Sequence, residues 1–265
     1  MDRLIFLGTG GGRIVVANQY VGTGGFVIQT EDYQVWVDPG PGALARAKQF
    51  GITASRTDII YVSHQHVDHC NDVNALIDAM TLGGIKPRGV LIGTPTLING
   101  SEKEGPWLNA LYKSYLKEIF PIKTGDKIKV GNLSFTATPT QHDIDYNNGL
   151  RLETPKFTLG YTSNTAPFQE LRDAFKGCNV IIMDVLKPGN EKWKTHFCSD
   201  DAAEFLKDVK PELGIISHFG AKMLRAKPIF EAREIQKKSG VRCLAAQDGM
   251  RIDLRPLENK QKKLE

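Results

Sequence analysis

The chain has 265 residues, of which 41% are hydrophobic and 24% are charged, a composition typical of a soluble globular protein with a substantial core. Lys and Arg number 34 and Asp and Glu number 30, so the formal net charge is +4, which permits a phosphate-bearing substrate without requiring one. No apolar run reaches the length of a membrane span, and too few apolar residues precede the glycines of "MDRLIFLGTGGG" for a signal peptide. We therefore expect neither membrane insertion nor secretion.

The four cysteines, Cys70, Cys178, Cys198 and Cys243, are scattered and form no C-x-x-C pair. Their spacing is not that of a secreted disulfide scaffold. We therefore expect reduced thiols in a cytoplasmic protein. Cys70 and Cys198 adjoin candidate site residues in sequence, and we expect each to be a small buried filler rather than a ligand.

Strand-type and helix-type segments follow one another along the chain. Short β-type runs begin with "LIFLG", "GFVIQT", "YQVWVD" and "DIIYVS" and recur through "KIKVGNLSFTATPT", "FTLGYT", "NVIIMD" and "LGIIS" to "MRIDL". Helical spacing is found in "PGALARAKQFG", "NDVNALIDAM", "APFQELRDAFKG", "SDDAAEFLKDV" and "PIFEAREIQKKSG". Because the N-terminal strands favour hairpins and the C-terminal part alternates helix and strand, we predict an α/β protein with mixed sheets covered by helices. In "SDDAAEFLKDV", Ser199 is the predicted N-cap.

No internal repeat or low-complexity linker divides the chain, so a single domain over residues 1–265 is predicted. The stretch "INGSEKEGPWLNALYKSYLKEIF" is the candidate insertion, around residues 98–120. It is predicted to be either a lid or substrate-contacting helix, or a surface helix that covers the sheet. The tail, residues 258–265, is predicted to be solvated and frayed.

Three histidines and an aspartate lie within six residues of "YVSHQHVDHCND", at His64, His66, Asp68 and His69. In an extended segment, residues two apart point the same way, so His64 and His66 can bind one metal ion, while Asp68 and His69 reach a neighbouring position as a helix begins. Imidazole and carboxylate groups suit zinc, manganese or iron. Two adjacent ions are a natural use of so many ligands. Of the other three histidines, His142 and His218 also lie at predicted strand ends, where sites assemble in α/β proteins, and His196 lies in a loop that enters a helix.

The segment "HQHVDH" resembles the H-x-H-x-D-H signature of the metallo-β-lactamase fold superfamily, and "LGTGGG", "VDPGPG", "TQHD", "GYTSNT" and "SHFG" surround it in the family's order. The resemblance covers nearly the whole chain. It implies a four-layer αββα sandwich of two mixed sheets flanked by helices, with two divalent ions bound along one edge of the sheets, zinc first and manganese or iron as alternatives. Carried over residue by residue, His64, His66 and His142 would hold one ion, and Asp68, His69 and His218 the second.

One position departs from the family's pattern. The segment "GYTSNT" resembles the usual G-Y-T-x-D-T, whose aspartate bridges the two metals, but Asn164 stands here. A neutral amide oxygen bridges two dications much more weakly than a carboxylate. Three explanations stay open: the bridge is lost and one metal or weak activity remains, the residue was substituted deliberately, or another carboxylate stands in. Asp184, Asp143 and Asp145 are the available stand-ins.

The final ligand in "SHFG" and the segment "KTHFCSDDAAEFL" resemble the phosphodiesterase branch, which includes tRNA 3′-end processing endonucleases and cyclic-phosphate phosphodiesterases. The resemblance implies hydrolysis of a nucleotide, RNA or cyclic phosphodiester by a metal-bound hydroxide, with Asp68 and His196 as the candidate catalytic residues. His196 would sit near the scissile phosphate and give a proton to the leaving oxygen or stabilise charge, unless it only bonds a neighbouring loop. Asp38 is expected to orient a ligand.

Other functions stay open from the sequence. A thioester or lactone hydrolase would use the same fold and metals. Asn164 and the basic C-terminal tail also motivate a catalytically weak nucleic-acid-binding protein, although no basic patch interleaved with aromatic residues is evident. The glycines of "LGTGGGR" lack the third glycine of G-x-G-x-x-G and are predicted to form a tight rim loop. The expected partner is a phosphodiester substrate such as RNA, and a homodimer is left open.

Overall fold

The computed structural model describes residues 2–102 and 104–257. The predicted frayed tail, 258–265, lies outside the described residues. The chain forms two compact units. The first unit consists of Met1–Gly10, Val16–Lys123 and Gln247–Asp253, and the second of Gly11–Val15, Thr124–Ala246 and Leu254–Glu265. The single-domain expectation stays a prediction.

The first unit is built around one mixed sheet. Its strands are β1 (Arg3–Phe6), β2 (Phe26–Gln29), β3 (Gln34–Val37), β4 (Ile59–Val62), β5 (Val90–Gly93), β6 (Glu118–Pro121) and β15 (Arg251–Asp253). They are ordered β15-β1-β2-β3-β4-β5-β6. The pairs from β15 to β3 are antiparallel and those from β3 to β6 are parallel. The predicted N-terminal hairpins are thus present, followed by parallel crossovers.

Short helices accompany this sheet: α1 (Arg13–Asn18, shared by the two units), α2 (Ala43–Gln49), α3 (Val67–Cys70), α4 (Val73–Thr81), α5 (Pro95–Asn99) and α6 (Ala110–Lys113), with a 3-10 turn at Ala54–Arg56. All residues of β3, β4 and β5 are buried. The apolar residues of α2 and α4 join those of the strands in one core cluster that includes Trp36, Ile60 and Leu76. The region 98–120 contains α6 and the start of edge strand β6, and its role as an insertion stays a prediction.

The second unit has its own mixed sheet. Its strands are β7 (Lys127–Val130), β8 (Leu133–Thr138), β9 (Gly149–Glu153), β10 (Thr158–Tyr161), β11 (Val180–Lys187), β12 (Phe197–Cys198), β13 (Leu213–Ser217) and β14 (Cys243–Ala245). Their order is β14-β13-β11-β10-β9-β8-β7, and β12 pairs with β11. Strands β10, β11, β13 and β14 are parallel, and β7 to β10 are antiparallel.

Helices α7 (Gln169–Phe175), α8 (Ser199–Val209), α9 (Ala221–Ala226) and α10 (Pro228–Ser239) belong to the second unit, which also has a 3-10 turn at Arg255–Leu257. Helix α8 packs on β11, and α10 packs on α8, β13 and β14. Ser199 was predicted as the N-cap of α8, and this is wrong. The N-cap is Cys198, whose backbone N–H donates to Asp201 Oδ2 at 3.2 Å. Because the helix is capped at Cys198, one residue earlier than predicted, Ser199 already lies in its first turn.

Two mixed sheets flanked by helices confirm the predicted α/β fold class. Within the described residues, no helix is long and apolar enough to cross a membrane.

Candidate metal centre

In the first unit, the candidate residues follow the carboxyl ends of two neighbouring parallel strands. Strand β3 is followed by Asp38 and strand β4 by Ser63 and His64, and the two strands pair in the register Val37 to Tyr61. Because parallel strands end at the same edge of a sheet, this register brings the three polar side chains together. Asp38 is 2% exposed, and Ser63 and His64 are fully buried.

Asp38 is the hydrogen-bond acceptor at the centre of this cluster. Its Oδ1 accepts from Ser63 N at 2.7 Å. Its Oδ2 accepts from Ser63 Oγ at 2.7 Å and pairs with His69 Nδ1 at 2.9 Å. A carboxylate that accepts from Nδ1 fixes the ring tautomer and leaves Nε2 as the coordinating atom. The geometry therefore agrees with Asp38 orienting the predicted ligand His69.

Ser63 was missed by the sequence analysis. Besides its two bonds to Asp38, Ser63 Oγ lies 2.9 Å from His64 Nδ1. It therefore connects Asp38 to His64 as well, and this contact at Nδ1 makes Nε2 of His64 the atom suited to coordinate a metal. The feature of the sequence that could have indicated Ser63 is its position directly before the H-x-H segment.

The donor set of the first unit fits a divalent ion. His64 Nε2 and His66 Nδ1 lie 3.1 Å apart. Two imidazoles on one tetrahedral zinc, each at about 2.0–2.1 Å, would place their nitrogens roughly 3.3 Å apart. Asp68 Oδ2 lies 3.8 Å from His69 Nε2, so a carboxylate oxygen and an imidazole nitrogen, both metal-binding atoms, also lie close together here. The predicted separation of the motif into two pairs agrees with this geometry.

Backbone constraints explain the "VDPGPG" segment. A Cβ on Gly40 would lie 2.1 Å from the backbone carbonyl oxygen of Asp68, so only glycine permits this approach. Asp38 has φ 51°, a left-handed conformation that aspartate tolerates better than most residues. The turn at Asp38–Gly40 therefore packs directly against the backbone of the segment that contains Asp68.

In the second unit, the candidate residues again follow parallel strands. Ser163 and Asn164 follow β10, His218 follows β13, and Asp184 lies within β11, paired in register with Ser217. Ser163 and His218 have φ values of 54° and 59°. Such backbone strain at non-glycine residues concentrates at functional sites.

His218 sits against a glycine. A Cβ on Gly11 would lie 2.2 Å from His218 Nδ1, and Gly11 N donates to the carbonyl oxygen of Phe219 at 3.2 Å. This close approach gives the third glycine of "GTGGG" a role in packing a candidate ligand. It agrees with the predicted tight loop.

His196 lies among the candidate ligands of its own unit. Its ring stacks on that of His218, with centroids 5.5 Å apart, and meets the ring of His142 edge-on at 5.3 Å. Thr195 Oγ1 lies 3.0 Å from His196 Nδ1, and the residue is 9% exposed. The three histidines after residue 140, which the sequence separates widely, therefore form one cluster.

The surroundings of Asn164 distinguish the stand-in carboxylates. Asn164 is 2% exposed, and its backbone carbonyl accepts from Asn147 Nδ2 at 2.6 Å. Asp184 is 3% exposed and accepts from Tyr161 OH at 2.9 Å, whereas the Asp143 side chain is 62% exposed and pairs with His142 Nε2 at 3.2 Å. Asp145 is exposed as well. Asp184 is thus the buried member of the three.

The four cysteines are free and buried. Burial raises the pKa of Cys198 to about 11 and, together with the nearby Asp38 and Asp68 charges, raises that of Cys70. Both are neutral thiols near neutral pH, which agrees with the predicted filler role.

Comparisons with known proteins agree with the fold. Residues 33–219 match the family profile described as a Beta-lactamase superfamily domain. The chain is 35% identical to the uncharacterized protein MJ1374 of Methanocaldococcus jannaschii, over 95% of this chain and 94% of that protein. It is 24% identical to Ribonuclease Z of Methanopyrus kandleri, over 96% and 100%. The crystal structure of the metallo-β-lactamase fold protein YhfI from Bacillus subtilis superposes with a TM-score of 0.78 at 19% identity, over 95% and 98%.

Proposed function

Because the chain belongs to the metallo-β-lactamase superfamily, we propose that it is a metal-dependent phosphodiesterase whose substrate is RNA or a nucleotide phosphodiester. The observation that carries the proposal is the position of His196, stacked on His218 and edge-on to His142. A non-ligand histidine beside ligands is suited to proton transfer at a phosphate. The similarity to a protein named Ribonuclease Z supports RNA as the substrate class.

The proposed ligand sets, carried over from the family's signature, are His64, His66 and His142 for one ion, and Asp68, His69 and His218 for the second. Zinc is the first candidate, and manganese and iron are the alternatives, because imidazole and carboxylate suit all three. Two such ions, when bound, supply the Lewis acidity that activates water near neutral pH and polarises phosphoryl oxygens. In the sequence, Asn164 takes the place of the aspartate that bridges the metals in the family, and Asp184 is the proposed stand-in carboxylate.

The residues of the chain then have separate roles. Asp38 and Ser63 hold His69 and His64 in the tautomers that expose Nε2. Asp68 contributes its carboxylate as both a ligand and an acceptor at the reaction centre. Thr195 holds Nδ1 of His196, so Nε2 of that ring is the proposed proton donor to the leaving oxygen.

The leaving-group dependence of a His196→Ala variant tests this role. A p-nitrophenolate leaves without a proton, whereas an alkoxide needs one. We therefore expect the variant to lose about 10²- to 10⁴-fold in kcat on a nucleoside phosphodiester and much less on methyl p-nitrophenyl phosphate. Equal losses on both substrates would exclude His196 as the proton donor.

A substrate panel tests the reaction class itself. The metal-reloaded wild-type chain should hydrolyse phosphodiesters faster than thioesters, lactones or β-lactams. Faster turnover of a thioester or lactone would assign the chain to the rival branch, which shares the fold and the ligands.

A second candidate function rests on Asn164 and on the basic C-terminal tail of the sequence. Without the bridging charge, the chain could bind nucleic acid while cleaving it weakly. Binding of a single-stranded RNA without turnover of either phosphodiester would favour this alternative.

A further inference from the structure

The segment from Lys187 to His196 presents an exposed aromatic side chain next to the proposed proton donor. Trp193 is 53% exposed. Its backbone forms an antiparallel bridge with that of His196. Residues opposite each other in such a bridge project from the same face, with Cβ atoms about 4.5–5.5 Å apart. Trp193 and His196 therefore point to the same side of this ribbon.

Three lysines accompany the indole, one of them against its ring. Lys187 Nζ lies 3.8 Å from the ring centroid of Trp193, and Lys192 and Lys194 flank it in sequence and are exposed. Lys192 Nζ is 3.9 Å from Asp201 Oδ1, with 73% of its side chain exposed. The acidic residue of the segment, Glu191, pairs with Lys222 at 2.6 Å, so its charge is balanced locally.

We propose that Trp193, with Lys187 beneath its ring, is a stacking platform for the nucleobase next to the scissile phosphodiester. The inference rests on the proposed function and adds the recognition of a base to it. An indole offers a π-face that stacks on any base, and the neighbouring ammonium groups favour the nucleic-acid backbone. The platform therefore selects single-stranded RNA or nucleotides over phosphodiesters that lack a base.

Binding and catalysis can be measured separately. A fluorescently labelled 2′-O-methyl phosphorothioate oligoadenosine, which resists cleavage, is titrated against the zinc-reloaded protein by anisotropy. Trp193→Ala should raise the Kd by about 5- to 150-fold, since stacking on one base contributes about 1–3 kcal/mol. Trp193→Phe should recover most of the affinity. Phe230→Ala is the matched control because Phe230 is also exposed, at 49%, and also has a lysine ammonium over its ring, with Lys227 Nζ 5.9 Å from the centroid.

An abasic oligomer distinguishes stacking from a general effect. With the same backbone but no base, it should bind wild type and Trp193→Ala equally. Unchanged oligoadenosine binding in Trp193→Ala, an equal loss with the abasic oligomer, or no binding by wild type would overturn the inference. If one of these results occurs while wild type still hydrolyses methyl p-nitrophenyl phosphate, the platform is refuted and the proposed phosphodiesterase activity is kept. Base-dependent binding without any turnover would refute the phosphodiesterase and keep the platform.

Discussion

Replacement of Asp38 by asparagine tests whether the hydrogen-bond cluster of the first unit holds a metal ligand in place. The amide keeps the shape of the carboxylate, and asparagine tolerates the φ of 51° found here. One oxygen can still accept from Ser63 N. The NH₂ group, however, replaces the oxygen that lies 2.9 Å from His69 Nδ1. The new amide N–H and the Nδ1–H of His69 are then two donors facing each other. This repulsion favours the tautomer of His69 that carries its proton on Nε2, the atom proposed to coordinate the metal.

The size of the effect follows from the lost bond. A hydrogen bond to a charged acceptor contributes about 1.5–3 kcal/mol, and removal of a carboxylate that orients a ligand commonly lowers metal affinity by roughly 10- to 100-fold. Asp38→Asn should therefore lower the affinity for the ion assigned to Asp68, His69 and His218 by about 10- to 100-fold. The free energy of unfolding of the metal-free protein should fall by about 1–3 kcal/mol, because a donor loses its partner in a buried site.

Competition with a chelating dye measures the affinity, and denaturant unfolding with chelator present measures the stability. Asp32→Asn is the control, since Asp32 is exposed in the turn between β2 and β3, the hairpin that also carries Asp38. If Asp38→Asn binds metal as tightly as wild type while remaining folded, Asp38 does not orient His69 and the assignment of the second ligand set is wrong.

Two further predictions concern the bridge and the thiols. Asn164→Asp should tighten the second ion and raise phosphodiester turnover, because a carboxylate offsets the repulsion of two dications better than an amide dipole does; metal titration and kinetics measure both. If that variant is silent, Asp184→Asn becomes the test of the stand-in, and a second silent result would argue against a two-metal mechanism. Burial raises the pKa of Cys198 from 9.0 to about 11, so its contribution to stability is present below pH 9 and is lost towards pH 11. Slow iodoacetamide labelling of the native protein at pH 8 should become fast on unfolding, and fast native labelling of Cys198 would contradict this.

Local patterns were enough to propose a ligand set, which stays a prediction. The H-x-H-x-D-H segment has its chemistry within six residues, and the structure places His64 Nε2 and His66 Nδ1 at a spacing suited to one ion. Regular periodicity likewise located α2, α4, α7, α8 and α10. The N-terminal hairpins could be predicted because their strands are consecutive and pair with their neighbours.

Features that depend on long-range register could not be read from the chain. Ser63 gained its role only because β3 and β4 lie side by side, which brings Asp38 to it across 25 residues. Tyr161 reaches Asp184 in the same way, across the β10–β11 pair. Helix α1 was absent from the predicted helices, since β-branched residues in "RIVVAN" have low helix propensity. Tertiary context overrode that preference.

Metal content after zinc reloading and gel filtration is the most direct test of the central claim, that the gathered histidines form a metal centre. Wild type should retain at least one equivalent of zinc. His66→Ala, which removes one of two imidazole nitrogens 3.1 Å apart, should lose most of the ion assigned to His64 while keeping the native fold by circular dichroism. A wild-type chain that retains only a small fraction of an equivalent after reloading with zinc or manganese, or a His66→Ala variant that binds as much metal as wild type, would contradict the account.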